Sequence, residues 1–252
     1  MTVLAELDGH AFDLAALARH FPTGDPHIAA GGDGTYLATA LDDLCGDAPG
    51  LLEAAREQLD RLNGYARLME GSYQRVRLNG RFFRDSDRTH GQVVVGDQVQ
   101  LRESFTIVQP LTIETRAAAF GVATVTGGAP STPPPPAGPE HLARTASNKD
   151  LDDILDLVGK AERLSWSELY KVFEIICDAV SRRGREGLVA TGWMTKSTLS
   201  AFTGSADHHL VSGIHEGRHA RMSGGPPRQT MTLDEAQKFI RDLAFRWLDS
   251  LD

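Results

Sequence analysis

The sequence predicts an α+β fold in which an antiparallel sheet with two helices comes first and an all-α helical bundle follows. Residues 74–126 contain short segments that alternate polar and apolar residues, the pattern of strands with one buried face. Residues 146–252 instead carry apolar residues at helical spacing and two helix-start signatures. The Pro133–Pro136 run separates the two patterns and favours an extended spacer. We therefore predict an α+β domain at 1–126, a proline-rich linker at 127–145 and an all-α domain from 146 onwards.

The first domain is predicted to open with a strand, a helix, a hairpin and a second helix. Val3–Leu7 is the strand, and apolar residues on one face predict a helix over Phe12–Phe21. Glycines between His27–Ala30 and Thr35–Thr39 predict a hairpin. Apolar residues recur at helical spacing over Pro49–Met69, which predicts a long amphipathic helix.

The next segments predict a sheet with a basic face. Gln74–Asp85 alternates arginine with apolar residues, and Gln92–Arg102, Ser104–Val108 and Ala117–Thr126 continue the pattern. The candidate ligand-binding arginines of this face are Arg75, Arg77 and Arg81. Such a face would bind phosphate or an acidic protein partner. A solvated outer face is the alternative, because antiparallel sheets commonly meet water on one side.

The second domain is predicted to contain four main helices. The first starts near Ser147, and Ser165–Glu168 is a capping box that opens the second. A short helix follows at Thr195–Phe202, and Thr232–Glu235 is the capping box of the last helix. We expect the two helices with capping boxes to pack together. Residues 203–231 would then form the connection between elements in which functional residues are expected.

This connection contains the densest group of histidines and arginines in the chain, at His208–Pro227. Within it, His215, Glu216 and His219 spell H-E-x-x-H, which on a helix places two imidazoles beside one zinc and a carboxylate beside its water. His208 would share that helical face. Against zinc, no third ligand follows at the spacing of the extended motif, and Gly217 weakens a helix by about 1 kcal/mol. We expect the purified protein to carry no stoichiometric zinc.

Composition limits the classes of protein. The chain has 252 residues, of which 41% are hydrophobic and 24% charged, as in soluble globular proteins of one or two domains. A net charge of −8 argues against non-specific nucleic-acid binding but leaves local basic surfaces open. No signal peptide or membrane span is predicted, and Cys45 and Cys177 lie in apolar settings typical of reduced thiols. These features predict a cytoplasmic location.

Three segments, at 165–180, 192–207 and 218–240, resemble a group of uncharacterised bacterial proteins. The shared pattern is a helix like Leu-Tyr-Lys-Val, then Arg-His, a Pro-Pro spacer and a Met-Thr-Leu-x-Glu-Ala helix start. The resemblance covers roughly residues 148–250 and implies no activity. Arg218 and His219 belong to the pattern, whereas His215 and Glu216 do not obviously belong to it.

A second resemblance is to HEPN domains, which are small helical bundles and often RNases. In that family an arginine and a histidine near a helix start promote cleavage of RNA, in which the 2′-hydroxyl attacks the neighbouring phosphate. The resemblance implies that His219 is the base and that Arg218 holds the phosphate. The family separates the two residues by four to six positions, whereas in this chain they are adjacent.

We therefore predict a bacterial ligand- or partner-binding protein, without a cofactor, that acts on RNA or another anionic ligand. The candidate catalytic residues are Arg218, His219 and Glu216, and further ligand-binding candidates are His208, His209 and Arg221. One alternative is a zinc hydrolase with His215 and His219 as metal ligands. The other is a non-catalytic interaction module, in which Arg218 and His219 donate hydrogen bonds to loop carbonyls. A homo-oligomer is compatible with each of these hypotheses.

Overall fold

The structure, a computed structural model, describes the greater part of the chain. The described residues are 2–31, 34–40, 48–84, 87–95, 98–102, 137–182, 187–213 and 227–251. Within these ranges an antiparallel sheet with two helices is followed by a helical bundle. The predicted α+β fold is therefore confirmed.

The sheet has six strands in the described residues. They are β1 (Val3–Asp8), β2 (His27–Gly31), β3 (Gly34–Thr39), β4 (Arg77–Arg84), β5 (Asp87–Val95) and β6 (Gln98–Arg102). Their order is β2-β3-β1-β4-β5-β6, and each neighbouring pair is antiparallel. The predicted hairpin is present as β2 and β3, and Ala5 of β1 lies between Leu37 and Phe82 of its two neighbours. The strands predicted at 104–108 and 117–126 lie outside the described residues.

The described helices lie in both regions of the chain, and those from α3 onwards form the helical bundle. They are α1 (Ala11–His20), α2 (Ala48–Met69), α3 (Gly138–Arg144), α4 (Lys149–Lys160), α5 (Trp166–Arg182), α6 (Gly187–Ala190), α7 (Lys196–Asp207), α8 (His209–Ser212) and α9 (Leu233–Asp249). The predicted bounds of α1 and α2 agree with the structure to within one residue. α5 and α9 pack together as predicted. None of the helices described is both long and apolar enough to cross a membrane.

β4 begins three residues later than the sequence pattern predicts. The reason is that side chains from the helices bind the backbone before it reaches the sheet. Asp13 accepts a hydrogen bond from the backbone N–H of Gln74 at 2.9 Å. The Asn63 amide accepts from the N–H of Val76 at 3.0 Å and donates to its carbonyl at 2.9 Å. These contacts take the place of ladder hydrogen bonds.

The capping box that opens α9 is complete. Thr232 accepts from the backbone N–H of Glu235 at 3.3 Å, and the Glu235 carboxylate accepts from the N–H of Thr232 at 2.7 Å. At the start of α5, the Glu168 carboxylate accepts from the Ser165 N–H at 3.0 Å. The Ser165 hydroxyl, however, accepts from the backbone N–H of Ser167 rather than from that of Glu168. Both sequences therefore start helices, as predicted, with the reciprocal pattern closed only at α9.

α2 lies at the centre of the described fold. Residues 62–68 are buried all round the helix, which an amphipathic surface helix would not be. The helix packs on the sheet and α1, and also on α4 and α9. Its contact with α4 is close: a Cβ on Gly64 would lie 2.0 Å from the Leu155 carbonyl oxygen, and one on Gly159 would lie 1.8 Å from that of Asp60. One buried apolar cluster consequently runs from β1 to α9.

The division into two domains at 127–145 stays a prediction, to which the structure adds two facts. Residues 138–144 of the predicted linker form α3, whose Leu142 is buried. In addition, the segments on either side of the linker meet along the α2–α4 contact.

Limited proteolysis tests this organisation. We expect a cut within residues 127–137 to give two fragments that stay together on native size-exclusion chromatography, because separating them would expose the apolar faces of α2 and α4. A cut protein with an intact circular dichroism spectrum whose fragments elute apart would instead show two independent domains.

Candidate functional site

The structure describes both ends of the predicted His/Arg segment but not its middle. His208 and His209 are described, whereas residues 214–226 lie outside the described residues. This gap includes five of the predicted site residues, which are His215, Glu216, Arg218, His219 and Arg221. The geometry given by the structure is therefore that of the residues on either side of this gap, which anchor the segment.

The N-terminal end of the segment is fixed on α7, which ends five residues later than predicted. Gly204 and Ser205 favour a helix end in the sequence, but Phe202 and Ala206 are fully buried and hold the extra turn in the core. The helix stops at His208, whose N–H donates to the Gly204 carbonyl at 3.2 Å. The single turn of α8 follows and ends at Gly213, whose φ of +82° favours glycine.

The C-terminal end of the segment is fixed on the same helix. A Cβ on Gly204 would lie 3.0 Å from the ring of Pro227, so the chain passes directly over this glycine. Two residues on, Gln229 accepts a hydrogen bond from Ser197 at 2.6 Å. The backbone N–H of Met231 donates to the fully buried Ser205 hydroxyl at 2.8 Å. Both ends of the segment thus contact α7 and meet at Gly204.

His208 is buried and acts as a helix cap. Only 5% of the residue is exposed, and its Nδ1 accepts the backbone N–H of Leu210 at 3.4 Å. A nitrogen that accepts is unprotonated, so the proton of the neutral ring lies on Nε2. A ligand that binds zinc through Nε2 needs the opposite tautomer, with Nδ1 as donor. This geometry favours a structural role for His208 over the role of a metal ligand.

The ring of His208 also contacts that of the next residue. Its ring stacks on that of His209, with centroids 5.1 Å apart and planes 10° apart. Its Nε2 is buried and has no hydrogen-bond partner in the described part of the chain. Among the described residues, no three His, Cys, Asp or Glu side chains are grouped so that they could hold a metal ion.

The three arginines of the predicted basic face are bound to carboxylates of the same chain. Arg75 donates to Asp60 at 2.7 Å and to Glu162 at 3.1 Å. Arg77 donates to the other oxygen of Glu162 at 2.7 Å. Arg77, and to a smaller extent Arg75, hold the pKa of the Glu162 carboxyl below its usual range. Arg81 donates to Glu6 at 3.4 Å. These pairs explain the alternating arginines without an external anion.

A buried polar network around α2 is absent from the sequence prediction. Arg67 is only 8% exposed and donates to the carbonyls of Val158, Ala161 and Glu162 at 3.1, 2.5 and 3.5 Å. It therefore binds the carbonyls left free at the C-terminal end of α4, while burial lowers its pKa. The Tyr73 hydroxyl donates to Asn63 at 2.5 Å, and burial raises the Tyr73 pKa.

No local signal in the sequence could have found these contacts. Arg67 and Asn63 occupy polar positions of a helix that reads as amphipathic, and their partners lie elsewhere in the chain. The hydrogen bonds of Arg67 to α4 span 91 to 95 residues. Their role is to join the sheet region to the helical region.

The single described cysteine does not contribute a reactive thiol. Cys177 is partly buried, and burial raises the pKa of its thiol to about 11. It is therefore protonated at neutral pH, and the thiolate is the reactive form. Cys45 lies outside the described residues.

Two polar features thus stand out: the His/Arg segment held at both ends by α7, and the arginine network that joins α2 to α4. Comparison of the chain with protein-family models, with curated proteins and with solved structures gives no match.

Proposed function

We propose that the protein binds an anionic ligand of the RNA class through residues 208–228, and that Arg218 and His219 act on that ligand. The single observation that carries the proposal is the frame of the segment. Its two ends meet at Gly204 of α7, so a stretch rich in cationic side chains is presented from a fixed base. Loops held by a rigid scaffold are a common location for binding residues.

The charge of the segment supports an anionic ligand. Residues 208–228 contain three arginines and four histidines but only one acidic residue, in a chain whose net charge is −8. Arginine binds phosphate through several N–H groups in a planar arrangement. A histidine whose neutral form predominates near neutral pH can also serve as a general base.

The predicted basic face is a weaker candidate than this segment for binding an external anion. Arg75, Arg77 and Arg81 each have an intramolecular carboxylate, so binding an external phosphate would require breaking those pairs. The hydrogen bond that His208 Nδ1 accepts from Leu210 argues against this residue as a third zinc ligand.

Fluorescence anisotropy with a labelled single-stranded RNA oligonucleotide tests the proposal. We expect binding at low salt that weakens as salt rises, because phosphate contacts release counterions. The double variant Arg218→Gln/Arg221→Gln should bind about tenfold or more weakly, and its salt slope should be smaller by roughly 0.7 for each lost contact. The matched control is Arg56→Gln on α2, an arginine that is 51% exposed and far from α7 in sequence.

The outcomes distinguish the proposal from its two alternatives. Absence of RNA binding at low salt, or equal binding by the double variant and the control, would favour the non-catalytic interaction module. RNA cleavage that requires His219, survives Glu216→Gln and is unaffected by a chelator would support action on RNA. One equivalent of tightly bound zinc, released by His215→Ala, would support the zinc hydrolase instead.

A further inference from the structure

The outer face of α9 carries an exposed aromatic side chain inside a row of charges. Phe245 is 54% exposed, although α9 buries apolar residues along its inner side. Beyond the acidic first turn of the helix, four exposed charged residues of this face alternate in sign; they are Lys238, Asp242, Arg246 and Asp249. None of these four side chains forms an ion pair within the part of the chain that the structure describes.

We propose that this face binds the same face of a second copy of the chain, as a two-fold homodimer. A two-fold interface is self-complementary, because each surface meets an identical one in reverse order. The outer face of α9 satisfies this requirement when two copies of the helix run antiparallel, with the axis at the level of Ala244.

In that arrangement the charges pair in both directions. Asp242 of one copy lies opposite Arg246 of the other, and the reverse pair lies on the other side of the axis. Farther out, Lys238 comes to the level of Asp249 in the second copy. Four pairs of opposite charge form among these four residues of the two copies. The two Asp242–Arg246 pairs are equally distant from the axis, and the two Lys238–Asp249 pairs match to within one residue.

The same axis explains the exposed ring. Phe245 lies one residue from the axis, so the two Phe245 rings meet at the centre of the interface. An aromatic anchor surrounded by charged residues is the usual composition of a contact that contributes to binding. A groove of about 400 Å³ beside Arg246, lined also by Trp193 and Phe239, extends the apolar surface next to this face.

The expected dimer is weak and reversible. A contact confined to one helix face buries less than the roughly 1,200 Å² of a standard stable interface. Sedimentation velocity over a wide range of protein concentrations is therefore the measurement. We expect the average mass to rise with concentration from that of the monomer towards twice that value.

Charge exchange is the decisive test. Asp242→Arg or Arg246→Asp alone places like charges opposite each other, and each should raise the dimer dissociation constant about tenfold or more. The double variant Asp242→Arg/Arg246→Asp restores opposite charges at both positions, so its dissociation constant should return close to the wild-type value. A neighbouring interface or a general loss of charge would not show this recovery.

Phe245→Ser should likewise shift the protein to the monomer. Its matched control is Phe12→Ser, which removes a similarly exposed ring, 45% accessible, from α1 and should leave the dimer intact. Circular dichroism checks that each variant remains folded, and the exposed charge variants provide the result should Phe245→Ser unfold. The proposal is overturned by a wild type that stays monomeric at every concentration. A dimer that persists in Phe245→Ser, or single charge variants that the double exchange does not rescue, also overturns it.

Discussion

Replacing Gly64 or Gly159 with alanine is expected to lower the free energy of unfolding by about 2 to 3 kcal/mol, although alanine favours a helix over glycine by about 1 kcal/mol. The added methyl group would lie 2.0 Å from the Leu155 carbonyl oxygen at Gly64, and 1.8 Å from that of Asp60 at Gly159. Both contacts are with helix backbone, which cannot rotate away as a side chain can. α2 and α4 must therefore move apart, which loosens the packing along their whole contact.

Urea unfolding followed by circular dichroism measures this effect. The matched control is Gly71→Ala, where the atoms nearest to the new Cβ are those of the Arg241 guanidinium, the end of a flexible side chain that can move. We expect the control to stay within about 0.5 kcal/mol of the wild type, as surface substitutions usually do.

The double variant Gly64→Ala/Gly159→Ala adds a second criterion. It should cost clearly less than the sum of the single variants, because the helices separate once for both substitutions. Additive costs would indicate two separate sites, and single variants as stable as Gly71→Ala would contradict the close α2–α4 crossing.

Removing the guanidinium of Arg67 is expected to cost about 2 to 4 kcal/mol of unfolding free energy. Arg67→Met keeps much of the apolar stem but donates no hydrogen bond, so the carbonyls of Val158 and Ala161 lose a donor. A buried carbonyl without a partner loses its water as well as its hydrogen bond, and the loss therefore exceeds that of an exposed contact.

Two further variants separate charge from geometry. Arg67→Lys keeps the positive charge but cannot reach several carbonyls at once, so it should recover only part of the lost stability. Arg56→Met, on the exposed side of the same helix, should change the unfolding free energy by no more than about 0.5 kcal/mol. Equal stability of Arg67→Met and Arg56→Met would show that Arg67 does not stabilise the end of α4.

The local pattern of the sequence determined the type and position of most described elements. The α+β class, both helices of the first region, the first hairpin and the capped start of α9 follow from periodicity, turn residues and caps. These signals act over a few neighbouring residues, so they are contained in the sequence itself. The concentration of histidine and arginine at 208–228 is also a property of the sequence alone.

Tertiary structure decided how these elements meet and which polar groups are satisfied. The alternating arginines of residues 74–85 predict a basic face, yet Arg77 donates a hydrogen bond to the carboxylate of Glu162, 85 residues away. Arg67 lies at a polar position of the predicted amphipathic helix, yet it is buried and binds the end of α4. The extra turn of α7 likewise depends on burial of Phe202 and Ala206 in the core. Each outcome depends on contacts between residues far apart in the chain, which local periodicity does not specify.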